Sequence, residues 1–442
     1  MGARPLITLK PRNRELLYLL PVGLLTGAGF ASVYIARQSF VSWGSLGYAI
    51  FFLALYVAAH LVARFAVPAA DPYLLPMTGV LTAIGVTEIY RLGPNDAFKQ
   101  GLWVVVGVGL FALALIGLRR DYRVLENYKY LFGIAAIGLL FLPRVPGLGT
   151  TVNGARLWVR VGPIQFQPGE FSKIFLIVFL AAYLREKREV LAQARLKDVG
   201  PLLVIWGAYM LVLVSSNDLG SGLLYYGIFL SMLYVATARL SFVIVGIVLF
   251  IAGGIGAYER VPHVRERVTI WLHPWTTHTV YCPLTNAQAL RQDCQSYQLV
   301  KSLYSIANGG FGGAGLGKGT FVTATTPPRA LIPYVNSDFI YSALAQELGL
   351  VGAAALLLVF MLFVARGMKV ALQAQDGFSK LLAAGLTFGF ALQTFIIVGG
   401  VLRVIPLTGI TLPFVSYGGS SVVANFVLLA GLLLVSHRAS SQ

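Results

Sequence analysis

Between residues 268 and 337 the sequence holds a single carboxylate, Asp293, among the cations Arg291, Lys301, Lys318 and Arg329. A carboxylate in such a setting can take a proton from a hydroxyl. A general base works best with its pKa raised toward the working pH, whereas neighbouring cations hold it ionised. The same residue type is also a common solvated charge or turn former. A second group lies in NGARLWVRVGPIQFQPGEFSK, beginning at Asn153. Arg156 and Arg160 offer guanidinium forks suited to phosphate oxygens, Trp158 suits the headgroup boundary, and the segment is expected to lie along a membrane surface. Glu170 and Lys173 are three residues apart just after Pro168, a helix-start signal, so they can share one face and pair. An ordinary helix-end salt bridge explains them. At the mouth of an apolar bundle, however, an ammonium and a carboxylate are expensive to keep and point to a functional site. Asp218, in SSNDLGSG, either caps the following helix or lines a cavity.

The elements that must position these groups are membrane helices. Of 442 residues, 57% are hydrophobic and 12% charged, against about 25% charged in a soluble globular chain. Apolar runs near 16–35, 46–67, 73–91, 101–118, 128–143, 170–185, 200–215, 220–237, 240–258, 338–365, 379–402 and 411–436 give about twelve spans. The fold class is an all-α polytopic membrane protein. Residues 1–70 form a tail and two accessory spans that pack on the bundle or on a partner. Residues 71–442 form the core, with a long loop over 259–337. Thirty-four Lys and Arg residues outnumber 17 Asp and Glu. With both termini inside, the short basic segments, including the tail with Arg4, Lys10, Arg12 and Arg14, fall on the cytoplasmic side. The excess charge therefore does not argue for nucleic acid.

The long loop then faces outward, where a Cys282–Cys294 disulfide is favoured and would contribute about 3 kcal/mol. Free thiols would place the loop inside instead. The two cysteines fit neither a zinc nor an iron–sulfur site. NGGFGGAGLGKG, from Asn308, lacks the context of a phosphate loop and reads as backbone turning sharply at the membrane surface. PLTGITLPFVSYGGSS, from Pro406, is broken helix in an apolar context and must be buried in protein or line a cavity. Asp338 at the start of the helix after the loop suits the helix dipole, while Glu347 lies deeper and needs a partner.

Taken together, NGARLWV…QPGEFSK, NDLGSG, YQLVKSLYSIANGGFGGAGLG, SDFIYSALAQELGLVG and PLTGITLPFVSYGGSS, in this order over about residues 71–437, resemble the SEDS (shape, elongation, division and sporulation) family of bacterial wall assembly. GGVLRVIPLTG and the two extra spans resemble its actinobacterial RodA branch more than FtsW. The resemblance implies a peptidoglycan glycosyltransferase in the bacterial cytoplasmic membrane. Such an enzyme polymerises lipid II outside the membrane, alongside a class B penicillin-binding protein, leaving glycan on undecaprenyl pyrophosphate. It also implies Asp293, four residues before Tyr297 and Gln298, as the essential aspartate. Glu170, Lys173, Asp218, Ser416 and Gly418 fall in the matching motifs and are expected at the substrate.

The reaction so implied has the acceptor sugar 4-hydroxyl attack the donor's anomeric carbon while Asp293 takes its proton. The lipid pyrophosphate leaves, steadied by Arg156, Arg160 and Lys173, with a divalent cation (Mg or Mn) as a candidate helper. A lipid II flippase and a noncatalytic scaffold are the rival readings. The side of the membrane is testable on its own: in intact cells Cys282 and Cys294 should react with an impermeant thiol reagent only after reduction. Labelling that needs lysis but no reductant contradicts the assignment.

Overall fold

The computed structural model describes residues 10–38, 43–152, 155–162, 164–189, 200, 206–207, 209, 211, 218–275, 279–282, 287–321 and 331–441. The expected span near 200–215, the first nine residues, Asn153 and Arg329 lie wholly or largely outside them. Apolar runs become helices α1 (Pro11–Gln38), α2 (Trp43–Ala66), α3 (Leu74–Leu92), α4 (Pro94–Leu118), the single turn α5 (Val124–Asn127), α6 (Lys129–Phe141), α7 (Pro168–Glu186), α8 (Leu219–Thr237) and α9 (Leu240–Arg260). The chain ends in α12 (Ile340–Gln373), α13 (Gly377–Val401) and α14 (Gly419–Ser441). Among the described residues, α1, α2, α4, α8, α9, α12, α13 and α14 are the eight long and apolar enough to cross a membrane. The protein is thus an α-helical multi-pass membrane protein. Helices α7, α13 and α14 are enclosed by their neighbours, whereas α9 turns nearly all its surface outward.

The two long loops, after α6 and after α9, are more ordered than the sequence suggests. Residues of the first form an antiparallel meander, β1 (Gly149–Val152), β2 (Ala155–Val161) and β3 (Ile164–Phe166). Proline at the first turn starts α10 (Pro262–Leu272) in the second loop. A hairpin of β4 (Thr279–Cys282) and β5 (Ala287–Leu290) follows, then α11 (Tyr297–Gly309). Cys282 and Cys294 form a disulfide that ties the hairpin to the turn before α11.

Helix α12 breaks at Gly349, whose φ of 68° suits a residue without Cβ. The interrupted ladder leaves backbone groups without helical partners. The glycine-rich segment supplies them: Ala314 N and Gly315 N donate to the carbonyls of Gln346 and Glu347 (both 2.9 Å), and Leu350 N donates to Gly310 O (2.9 Å). The glycines therefore let one backbone reach another, a role beyond the surface turning expected of them.

The accessory helices pack on the core, α1 against α3 and α2 against α4. Arg12 is not a solvated tail charge, as its place in the basic tail suggested. It is buried, pairs with Glu15 and donates to Ala70 O; Glu15 also meets His60 Nδ1 at 2.7 Å. At the same face Ala69 N donates to His437 (3.2 Å), so the described parts of both ends meet at one end of the bundle. Glu15→Ala would strand a buried guanidinium, at a cost of about 3–5 kcal/mol. The expected readout is a lower thermal midpoint in detergent; an unchanged midpoint contradicts this role.

Candidate functional site

Pro168 starts α7, so the first turn presents Glu170 and then Lys173 inward. The Lys173 ammonium, 1% exposed, donates to Glu170 Oε2 (2.9 Å) and to Gln393 Oε1 (2.6 Å). Gln393 in turn donates to Thr411 O (2.9 Å), and Thr411 Oγ1 reaches Glu170 Oε1 at 3.5 Å. Four groups from α7, α13 and the 402–418 segment thus close a ring. Next to it, Asp218 caps α8 by accepting from Ser221 N (3.0 Å) and also interacts with Arg267 and Glu170. The cap reading of Asp218 holds. Burial raises its pKa, with the Ser221 hydrogen bonds and Arg267 opposing.

Arg267 comes from α10, in a stretch the sequence reading treated as loop. It donates to Leu407 O (2.6 Å) and to His263 (3.0 Å), and acts on Asp338 and Asp218. Burial lowers the guanidinium's pKa and the carboxylates oppose this. Two further bonds staple α10 to the same segment: Trp271 Nε1 donates to Arg403 O (3.0 Å), and Arg403 Nε donates back to Trp271 O (2.8 Å). Asp338 interacts with Arg267 from just before α12, where Phe339 is the cap residue.

Ser416 and Gly418 are committed to the chain's own backbone. Ser416 Oγ donates to Ser337 O (2.6 Å) and accepts from Leu412 N (2.9 Å). Gln100 of α4 grips the segment at both ends, donating to Ser416 O (3.1 Å) and accepting from Gly418 N (3.2 Å). Arg156 and Arg160 lie exposed on strand β2; Arg160 bonds Gln165 (3.0 Å), and among the described residues no hydrogen bond or ion pair joins either arginine to Glu170 or Lys173.

Asp293 is exposed at the end of a 3-10 turn, Arg291–Asp293, between the disulfide and α11. Tyr297 and Gln298 open that helix half-buried, with Lys301 over the Tyr297 ring at 5.5 Å. Beside Asp293, Arg291 Nε and Ser296 Oγ are buried without hydrogen-bond partners among the described residues. Helix α11 rests on α12 through Ser302–Ser342 (2.6 Å) and Ser305–Gln346 (2.7 Å). Asp293 therefore stands at the same end of the bundle as the Glu170 ring, though no contact among the described residues links the two. No three His, Cys, Asp or Glu side chains among the described residues converge on one point.

The residues missed from sequence had faint signals. Gln393 is an amide inside an apolar run and Gln100 immediately precedes one, and such groups need internal partners. Arg267 lies in PHVRERVTIWL, where proline precedes a short run with a polar and an apolar side.

Burial raises the Asp338 carboxyl to about 6, opposed by the Ser337 hydrogen bond and by Arg267. The folded chain then holds this proton more tightly than the unfolded one. Its contribution to stability is full below the ordinary value of 3.8 and is lost as pH rises through about 6. Asp338→Asn should flatten the pH dependence of the thermal midpoint across that window. A slope equal to the wild type's would assign the titration elsewhere.

Residues 70–441 match the FtsW/RodA/SpoVE family, described as cell cycle proteins. The chain is 41% identical to the peptidoglycan glycosyltransferase RodA of Mycobacterium leprae, over 99% of this chain and 94% of that one. It is 33% identical to the stage V sporulation protein E of Bacillus subtilis, over 81% and 92%. A chain from a peptidoglycan synthase complex that coordinates polymerization and crosslinking superposes with a TM-score of 0.68 at 26% identity, covering 85% of this chain and 99% of that one. The crystal structure of the Thermus thermophilus rod shape determining protein RodA gives 0.60 at 25% identity, with coverage of 85% and 98%. This α-helical bundle, with a ring of buried charge at one end and a family match over residues 70–441, belongs to the FtsW/RodA/SpoVE family.

Proposed function

We propose that this protein is a peptidoglycan glycosyltransferase that polymerises lipid II at the outer face of the cytoplasmic membrane. The observation that carries the reading is the cluster of Glu170, Lys173, Asp218, Arg267 and Asp338 at one end of an apolar bundle, the end that also bears Asp293. Relatives named as glycosyltransferases along the whole chain support it. So does the depth of the polar groups. One turn below Lys173, α7 continues as buried Ile177, Leu180 and Leu184, which suits a site at the membrane surface better than the passage a flippase needs.

In this reading the acceptor 4-hydroxyl attacks the donor's anomeric carbon, its proton passes to Asp293, and the bond to the lipid pyrophosphate breaks. Asp293 is exposed and so open to substrate. Lys173 has one ammonium N–H beyond those given to Glu170 and Gln393, and we assign its charge to the leaving pyrophosphate as that group gathers negative charge. Arg156 and Arg160, exposed on the meander, are placed to collect precursor headgroups at the surface. No step is routed through a metal ion. The termini are assigned to the cytoplasm, residues 1–70 to an accessory unit, and a class B penicillin-binding protein to the partnership, the last supported by the similarity to a synthase-complex chain.

Purified protein with its partner and lipid II tests this. Asp293→Ala should lower glycan synthesis by about 10²–10⁴-fold, as for loss of a general base, and Glu170→Ala should also lower it. Normal chains from Asp293→Ala would remove the assigned base; lipid movement without chains would favour the flippase.

A further inference from the structure

A second buried charge cluster, apart from the Glu170 ring, has no part in that reaction. Glu347 on α12 is 1% exposed and Glu88 on α3 is 0% exposed. Glu347 is saturated with donors: Oε1 accepts from Arg91 Nε (2.8 Å) and Gly319 N (3.0 Å), and Oε2 from Gly317 N (2.7 Å). Glu88 is the opposite. Among the described residues no donor reaches either of its oxygens, and the charged groups acting on it are Glu347 and Arg91. Two ionised carboxylates side by side, away from water, repel strongly. A carboxyl without donors is satisfied only by carrying a proton and giving it to an acceptor. Glu88 lies one turn before Arg91 on α3, and Arg91 bonds Glu347, which makes Glu347 the acceptor within its reach. The charge count agrees, since Arg91 and Glu347 balance only if Glu88 is neutral.

The neighbourhood shows what depends on this pair. Glu347 lies two residues before the break at Gly349, and its carboxylate holds the end of the glycine-rich segment whose backbone fills that break. The same segment continues from α11, which carries Tyr297 and Gln298 and follows Asp293 directly.

We propose that Glu88 and Glu347 are a proton-sharing carboxyl pair that pins the glycine-rich segment to the bundle, making both positioning residues for the external helix next to Asp293. The positioning role rests on the proposed polymerase reading, whereas the shared proton and the pinned segment do not. Two measurements on the purified full chain need no activity. In infrared difference spectra of wild type against Glu88→Gln, the wild type should show the C=O band of a protonated carboxylic acid that the variant lacks. Amide hydrogen exchange at Gly317 and Gly319 should stay slow in Glu88→Gln, whose amide still donates to Glu347, and become fast in Glu347→Gln. With lipid II, turnover should fall about tenfold to a hundredfold in Glu347→Gln, as expected for a misplaced group, and stay within about twofold of wild type in Glu88→Gln. A missing acid band, or unchanged exchange in Glu347→Gln, overturns the pair. If both spectroscopic results hold while Glu347→Gln turns over normally, the positioning role is overturned and the pair stands. If the wild type makes no glycan at all, the polymerase reading fails instead.

Discussion

Hydrocarbon offers no hydrogen bonds, and a backbone group left without one there costs several kcal/mol. This protein breaks its helices twice near one end of the bundle, and much of its architecture answers that cost. At Gly349 the answer is another stretch of main chain, thin enough to lie against the break because it is rich in glycine. Across 402–418 the answer is side chains: Gln393 on Thr411 O, Gln100 on Ser416 and Gly418, Arg267 on Leu407 O. Each of these comes from a different helix, so satisfying the backbone also fixes how the helices stand against one another.

The same requirement shapes the electrostatics. Glu170, Asp218 and Asp338 share one end of the bundle with Lys173 and Arg267, and every one of these charges acts on another of the set. In a medium of low dielectric such charges interact strongly and are costly to leave unpaired. They are therefore held in place before any substrate arrives, the condition under which fixed charges stabilise a leaving group without reorganising.

Much of this was legible in the sequence because it follows from composition and local spacing. Apolar runs set the helices, Pro168 set the start of α7, and the three-residue spacing of Glu170 and Lys173 foretold their pairing. What escaped was set by distance along the chain. Gln393 meets Lys173 across 220 positions, and nothing local to either residue announces it. The order in the external loops was hidden for another reason: the meander and the hairpin are short strands whose pairing, not their composition, defines them. Arg12 looked like one more basic residue of a tail because the groups that bury it are distant: it bonds the Ala70 carbonyl, and its partner Glu15 meets His60 on α2.

The reciprocal bonds between Trp271 and Arg403 make one body of a surface helix and a turn of the core. An amphipathic helix ordinarily floats, finding its own level at the lipid boundary. Here it is moored. Wherever α10 comes to rest, Leu407 and the charges gathered beside it must follow, because Arg267 and the paired bonds join them as one piece.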